Sequence, residues 1–507
     1  MDQPKPASGP RPIGECLTTQ ALRDPERAAL TLEDSTFTRL ELESRANRMA
    51  RALSARGVVQ NDIVAIVLPT GLQHHVTSFA AWKLGATPMP LSPTMPAAEL
   101  RTLIDIAKPR VIFGLGRDAM PGIATVDADF QPNAWLSDAA LAPIVANHFK
   151  AICSGGSTGR PKIILDGMPA LTDPNVPMPF LLIQPGDVML HAAPMYHSAP
   201  FSQTNWGLAW GLHVVEMAKF DPREWLRLVE THRVTWACLV PTMMNRIWSL
   251  PAIERDRYDL SSLRIVLHTA APCPAWLKEA WIDWLGADRI WEIYSGTEGF
   301  GGALIGGRDW LNHRGSVGRS MTEIRIIDDS GAACAPGEIG ELWFPAPSSH
   351  ECRYLGADLR TSDGWRTLGD MGWLDDDGFL YIADRRTDMI VSGGANIFPA
   401  EIEAALDGHP AIASSVVVGL AHDDLGRVPH AILELRRDTA LDPLELEAFL
   451  AARLARYKLP YSLEIATQPL RNEAGKVRRG EWRDAAETKL ARGEQFTPLR
   501  AQKQTSR

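Results

Sequence analysis

The sequence predicts an α/β protein with a mostly parallel sheet, followed by a smaller α+β portion. Three observations carry this. Up to about residue 318, apolar runs of strand length alternate with segments of helical period, the pattern of strand–helix units. Beyond that point the strands become shorter and turn-rich, as in EIRIIDDSGAACAPGEIGELWF and GWLDDDGFLYIADR. The chain's 507 residues also exceed what one core ordinarily organises.

Taken in order, residues 40–56 place Leu40, Ala46, Met49, Ala50 and Leu53 on a helical period. Residues 62–69 read as a buried strand, 72–84 as a helix, 86–91 as a short strand and 97–107 as a helix, with PRVIFG as a further strand. The alternation continues through strands at 234–240 and 264–268. Asp377-Gly378 between two β-like runs is a hairpin signal. Residues 388–403 pass from an apolar strand through a Gly-rich turn to a helix opened by Pro399. SSVVVGL, HAILELR and an amphipathic helix at 443–455 follow. The polar DRRTD stretch at 384–388 is the boundary candidate. The expected organisation is a flexible arm over 1–18, a large domain over 19–386, a small domain over 387–485 and a flexible polar tail over 486–507.

The formal charge of −9 argues against a nucleic-acid partner that depends on bulk basic charge. Cys16, Cys153, Cys238, Cys273, Cys334 and Cys352 are scattered without metal-ligand spacing, which reads as reduced thiols in a cytoplasmic protein. The N-terminus has no apolar signal-like region, and no apolar run reaches the roughly 18 residues of a membrane span.

The chemistry concentrates first in SGGSTGRPK, residues 154–162. Glycines let backbone N–H groups approach an anion, and Ser/Thr hydroxyls add donors. Arg160 and Lys162 add charge. The string suits a polyphosphate, yet Pro161 interrupts the spacing of a Walker A loop. A flexible surface turn is the plain alternative for this segment alone.

SGGSTGRPK resembles the phosphate loop of the ANL adenylate-forming superfamily, which includes acyl-CoA synthetases. Four further segments match that family in order: PMYHSAP at 194–200, YSGTEG at 294–299, Gly369-Asp370 with DRRTD at 384–388, and NEAGK at 472–476. The resemblance runs from about residue 20 to 485. It implies a large N-terminal domain of α/β subdomains plus a β-barrel-like part, capped by a small mobile α+β domain. Ser154, Gly155, Gly156, Ser157, Thr158, Gly159 and Lys162 are then expected at the ATP phosphates. Ala270, Ala271, Pro272, Tyr294, Ser295, Gly296 and Ile382 are expected around the nucleotide, with Asp370 and Arg385 at the ribose. Thr297 is expected at the α-phosphate and Glu298 at Mg²⁺, which prefers oxygen ligands. His197 would stand at the mouth of the acyl pocket, and Lys476 between carboxylate and α-phosphate. Singly, each has a bland reading: a structural histidine, a helix cap, a solvated lysine, an Asx turn.

The resemblance further implies a hinge at Arg386–Thr387, although Thr387 departs from the usual Asp or Lys. Rotation there would bring Gly393 and Gly394 of the Ser392–Asn396 strip to a pantetheine arm, with Ala395 where Glu is common. The expected partners are a small carboxylic acid and coenzyme A, in a monomer or homodimer. Residues 201–206 carry no acidic side chain, which argues against an amino-acid substrate. Tyr196, Trp206, Gly207, Val240, Met243 and His268 are the expected acid-pocket residues, mostly apolar, with Gly207 making room for a bulky group. They point to a hydrophobic acid, extending to polycyclic acids of diterpenoid or steroid type. Two alternatives stay open: an acyl-AMP ligase loading a carrier protein, and a catalytically silent nucleotide or acyl sensor.

Overall fold

The computed structural model of the chain describes residues 9–499, apart from 117–118, 156–160, 347–351, 393–394, 423, 438 and 473–474. Helix Arg39–Ser54 opens with a capping box in which Thr38 and Glu41 exchange side-chain and backbone hydrogen bonds. Its Leu42, Ala46, Met49, Ala50 and Leu53 then enter the core, while Leu40 points outward.

Strands Ile63–Ile66, Thr87–Pro90, Val111–Phe113 and Ala124–Val126 form a four-stranded parallel sheet. A larger sheet carries a parallel run in the spatial order Ala28–Leu32, His213–Glu216, Val188–His191, Trp236–Leu239, Ile265–His268 and Ile290–Ser295. These strands are apolar on both faces, as a doubly covered parallel sheet requires. Met189, Val214, Trp236, Cys238, Leu267 and Ile293 pack toward helix Ser198–Ala209 and the N-terminal helices. Leu190, Val215, Ala237, Leu239 and Val266 pack toward helices Pro222–His232, Pro241–Trp248 and Ala275–Leu285.

From Gly302–Gly306 onward the same sheet turns antiparallel. Asp370–Leu374 and Phe379–Arg385 form the expected hairpin. Asp375 accepts from the Asp377 and Phe379 amides, and Gly378 takes φ +79°, the left-handed conformation the turn needs.

The C-terminal part is built on a long hairpin, Ile412–His422 with Gly426–Leu435, joined in parallel by Ser462–Ile465. Helices Pro399–Asp407 and Pro443–Ala451 cover one face of its sheet, and helix Arg479–Ala491 covers the other.

Regular structure extends into both stretches that the sequence reads as flexible. A helix already begins at Ile13, because Ile13, Cys16 and Leu17 find apolar burial. At the other end, helix Arg479–Ala491 crosses the expected boundary. Thr497–Pro498 pairs with Ser462–Leu463, and Leu499 is buried in the C-terminal core. The helix expected over 443–455 stops at Ala451.

Candidate active site

The site lies where the parallel strands end and the C-terminal part returns over them. Strand Ile290–Ser295 delivers Tyr294 and Ser295, then turns through Gly296–Gly299. Tyr294 Oη donates to Asp370 Oδ2 at 2.5 Å, and Arg385 Nε donates to Asp370 Oδ1 at 3.2 Å. Burial, and then the Asp370 charge, push the Tyr294 phenol well above its ordinary range, so it stays a donor. Asp370 is buried, and Arg385 is exposed at its edge. Ile382 and Tyr294 both pack against an apolar cluster that includes Phe344 and Leu380. A carboxylate so placed is suited to two adjacent sugar hydroxyls, with Arg385 setting its orientation.

Thr297 and Glu298 follow on the turn. Gly296 is held so close to Leu368 that a Cβ there would come within 2.4 Å of the leucine side chain. Glu298 Oε1 accepts from Tyr354 Oη at 2.5 Å and lies 3.5 Å from Lys162 Nζ. Lys162 Nζ also sits 3.7 Å over the Tyr354 ring, a cation–π distance. Burial lowers the Lys162 pKa, and Glu298 opposes that shift.

Among the described residues no group of three or more His, Cys, Asp or Glu side chains could hold a metal alone. Mg²⁺ needs no such cage, since one carboxylate with nucleotide phosphates suffices. Glu298, with Oε2 accepting no hydrogen bond among the described residues, fits a metal that arrives with its nucleotide.

Pro194–Pro200 follows strand Val188–His191 and starts a helix. His197 is the N-cap residue of Ser198–Ala209, and its Nε2 has no hydrogen-bond partner among the described residues. Burial, and then the nearby Lys476 charge, drive its pKa down to about 3, so the imidazole is neutral.

Lys476 closes the Asn472–Lys476 turn, in which Asn472 Oδ1 accepts from Lys476 N at 2.9 Å. Gly475, at φ +73°, fits against the large domain; a Cβ there would stand 3.1 Å from Thr242 Oγ1 and 3.4 Å from Val240 Cγ2. This close approach brings Lys476, itself still exposed to solvent, against the edge of the large domain. Desolvation and then Arg385 lower its pKa, while Glu298 raises it. The structure thus gathers His197, Glu298, Arg385 and Lys476 into one electrostatic neighbourhood.

Ala270 has φ +76°, a left-handed conformation unusual for a residue with a Cβ. The Ala270–Ala271–Pro272 loop is tied to the neighbouring strand by Thr269 Oγ1, which donates to the Ile293 carbonyl at 2.8 Å. Its residues lie at or near the surface, open to a planar ligand. Val240 and Met243 are buried at the end of the Trp236–Leu239 strand. Tyr196 lies against His197 with ring centroids 4.5 Å apart and planes tilted by 53°. Trp206 is half-buried and stacks on Phe149 at 5.0 Å and Trp210 at 6.1 Å.

Two expected acid-pocket residues are engaged in packing. Gly207 faces the sheet, where a Cβ would meet Val214 at 3.2 Å and Met189 at 3.3 Å. Its missing side chain lets helix and sheet approach; it opens no room for a ligand. His268 is fully buried, 3.8 Å from Glu292, which pairs with the buried Lys278 at 2.6 Å. Arg386 pairs with Asp329 at 2.7 Å and Glu341 at 3.5 Å, and Thr387 beside it is exposed. Gly156, Ser157, Thr158 and Gly159 lie outside the described residues, as do Gly393 and Gly394. The side chain of Ser154 is likewise undescribed; Ser154 and Gly155 end the strand that leads into the loop.

Two residues escaped the sequence reading. Tyr354 comes from a three-residue strand, Arg353–Leu355, that pairs with the Lys162 strand, in a region legible only as turn-rich. Lys150 is buried and donates to Ser198 Oγ at 2.8 Å and Ser202 Oγ at 2.7 Å, with Asp166 3.6 Å away. It ties the phosphate-loop hairpin to the helix that starts at His197. The only signal was a charge inside the apolar run HFKAIC.

Residues 17–350 match the AMP-binding enzyme family, and residues 401–476 match the AMP-binding enzyme C-terminal domain. The chain is 30% identical over 479 residues to 2-succinylbenzoate–CoA ligase of Bacillus licheniformis, covering 91% of this chain and 98% of the relative. It is 30% identical over 502 residues to indoleacetate–CoA ligase of Aromatoleum aromaticum, covering 93% and 97%. Two solved structures of o-succinylbenzoate CoA synthetase from Bacillus subtilis are similar across 94% of this chain and 99% of theirs, at 26% identity. The complex with the acyl-adenylate OSB-AMP gives a TM-score of 0.81, and that with ATP and magnesium 0.78.

Proposed function

The chain belongs to the AMP-binding enzyme family, as an acyl-CoA synthetase of the ANL superfamily, and from that premise we propose how its residues divide the work and which acids it takes. The carboxylate oxygen attacks the α-phosphorus of ATP; the bond to pyrophosphate breaks, leaving an acyl-adenylate. Coenzyme A sulfur then attacks the acyl carbon, the thiol proton is lost, and AMP leaves with the bridging oxygen. The observation that carries this reading is the Tyr294–Asp370–Arg385 set together with Glu298 beside Lys162, supported by Gly475 fitting against Val240 and Thr242 next to Lys476.

Asp370 holds the ribose and Ala270–Pro272 face the adenine. Mg²⁺ held by Glu298 offsets phosphate charge when bound. Thr297 donates to the α-phosphate, and Lys162 with the Ser154–Gly159 loop grips the β- and γ-phosphates. Lys476 supplies positive charge where carboxylate and α-phosphate meet, an electrostatic contribution to positioning two anions. His197 is neutral, so it shapes the acyl mouth without adding charge. For thiolysis the C-terminal part turns about Arg386–Thr387, withdrawing Lys476 and presenting the Ser392–Asn396 strip to pantetheine.

The acid is hydrophobic, with polycyclic diterpenoid- or steroid-type acids within its range. Support comes from the Phe149–Trp206–Trp210 stack, whose Trp206 lies on helix Ser198–Ala209, and from the apolar Val240 and Met243. With Gly207 and His268 committed to packing, Tyr196 and Trp206 are the residues to vary. The test is turnover with CoA across fatty, aryl, steroid and diterpenoid acids, with thioesters identified by mass spectrometry. Thioester from the polycyclic acids, lost or redirected in Trp206→Ala, supports the assignment. Turnover confined to short polar acids overturns it, and acyl-AMP without thioester would move the reading to carrier loading.

A further inference from the structure

We propose that Tyr354 is a positioning residue of the metal–triphosphate site, an inference that rests on the adenylating role given above to Glu298 and Lys162. One side chain touches both. Its hydroxyl donates to Glu298 Oε1 at 2.5 Å, and its ring lies 3.7 Å beneath Lys162 Nζ. Lys162 approaches that same Oε1 at 3.5 Å. Glu298 is therefore fixed through Oε1, and Oε2, which accepts no hydrogen bond among the described residues, is its ligand face.

The backbone explains the placement. Arg353–Leu355 pairs antiparallel with Pro161–Leu165, with Tyr354 opposite Ile164, so Tyr354 reaches over the start of the strand that carries Lys162. Pairing aligns the tyrosine with the lysine, and the Gly296–Gly299 turn brings Glu298 to its hydroxyl. A carboxylate on a glycine turn has many orientations; a phenol donor selects one. The ring keeps an aromatic face under the ammonium, so Lys162 stays poised beside Glu298. When nucleotide arrives, Lys162 can transfer to phosphate while Tyr354 retains Glu298.

Such supporting hydrogen bonds to a metal-binding carboxylate typically change metal affinity about 10- to 100-fold. Tyr354→Phe removes the hydroxyl and keeps the ring; Tyr354→Leu removes both. The experiment is calorimetric titration of wild type and variants with ATP, with and without Mg²⁺, and with AMP. For Tyr354→Phe the expected result is at least about tenfold weaker Mg²⁺-dependent binding, with AMP binding unchanged. Tyr354→Leu should in addition weaken metal-free ATP, through Lys162. In a Glu298→Gln background the Tyr354→Phe effect should vanish, because it acts through that carboxylate. Equal losses for AMP and MgATP, or an additive effect in the Glu298→Gln background, would overturn the proposal and leave Tyr354 a fold residue. If wild type itself shows no Mg²⁺-dependent ATP binding, the adenylating assignment of Glu298 fails first, and this inference falls with it.

Discussion

Replacing Lys476 by alanine separates the two half-reactions. The Asn472–Lys476 turn brings the exposed lysine to the edge of the large domain because Gly475 sits against Val240 and Thr242. There its pKa is lowered by desolvation and Arg385, with Glu298 opposing, so its charge is incompletely matched and available to an incoming anion. A unit charge about 4 Å from a developing anion at an effective dielectric near 20 is worth about 4 kcal/mol. Loss of one well-aimed donor typically costs about 10²–10³ in rate, roughly 2.7–4 kcal/mol, and the two magnitudes agree. Lys476→Ala should slow acid-dependent ATP–pyrophosphate exchange by that factor. Thiolysis of supplied acyl-adenylate by CoA should stay within about threefold of wild type, since the change is far smaller than the loss of a donor. Equal loss of both steps would refute the reasoning, because it would put Lys476 in a single conformation serving both.

The lowered Lys476 pKa gives the adenylation rate an alkaline limb. The protonated form is the active one, so activity falls as pH rises through a value below the ordinary lysine range, and Lys476→Arg should move that limb upward in an exchange assay across pH. Gly475→Ala should slow adenylation about tenfold, since a left-handed residue with a Cβ costs about 1–2 kcal/mol and crowds Thr242, while thiolysis is retained. Asp407 predicts a stability slope. Burial raises it from 3.8 to about 7 against the Ser415 hydroxyl and Arg471, which lower it. The folded state therefore binds the proton more tightly, and this stabilisation is present below pH 3.8 and lost as pH rises toward 7. Denaturant titrations of Asp407→Asn should show that this slope disappears; an unchanged slope would place it on another group.

The sequence made the fold class and most elements legible, because alternating apolar runs and helical periods are local signals. Helix Leu72–Lys83 and strand Val111–Phe113 sit where the pattern puts them. The ends misled because Ile13 and Leu499 owe their order to distant packing partners. Asp370 and Lys476 stood out through short strings, yet Asp370 takes its hydrogen bond from Tyr294, 76 residues earlier, and the Lys476 turn rests on Val240 and Thr242. Gly207 shows the limit of composition: a bare position reads as space, and only geometry shows Met189 and Val214 filling it. Lys150 and Tyr354 had no motif of their own; each gains meaning from what folds against it.

The central claim is that the carboxylate itself attacks the α-phosphorus. Turnover of an acid labelled with ¹⁸O in its carboxyl group, with MgATP and CoA, tests this most directly. The account predicts one ¹⁸O in the phosphate of AMP, unlabelled pyrophosphate and an acyl-CoA retaining the other label. Label in inorganic phosphate with ADP as the nucleotide product would contradict it.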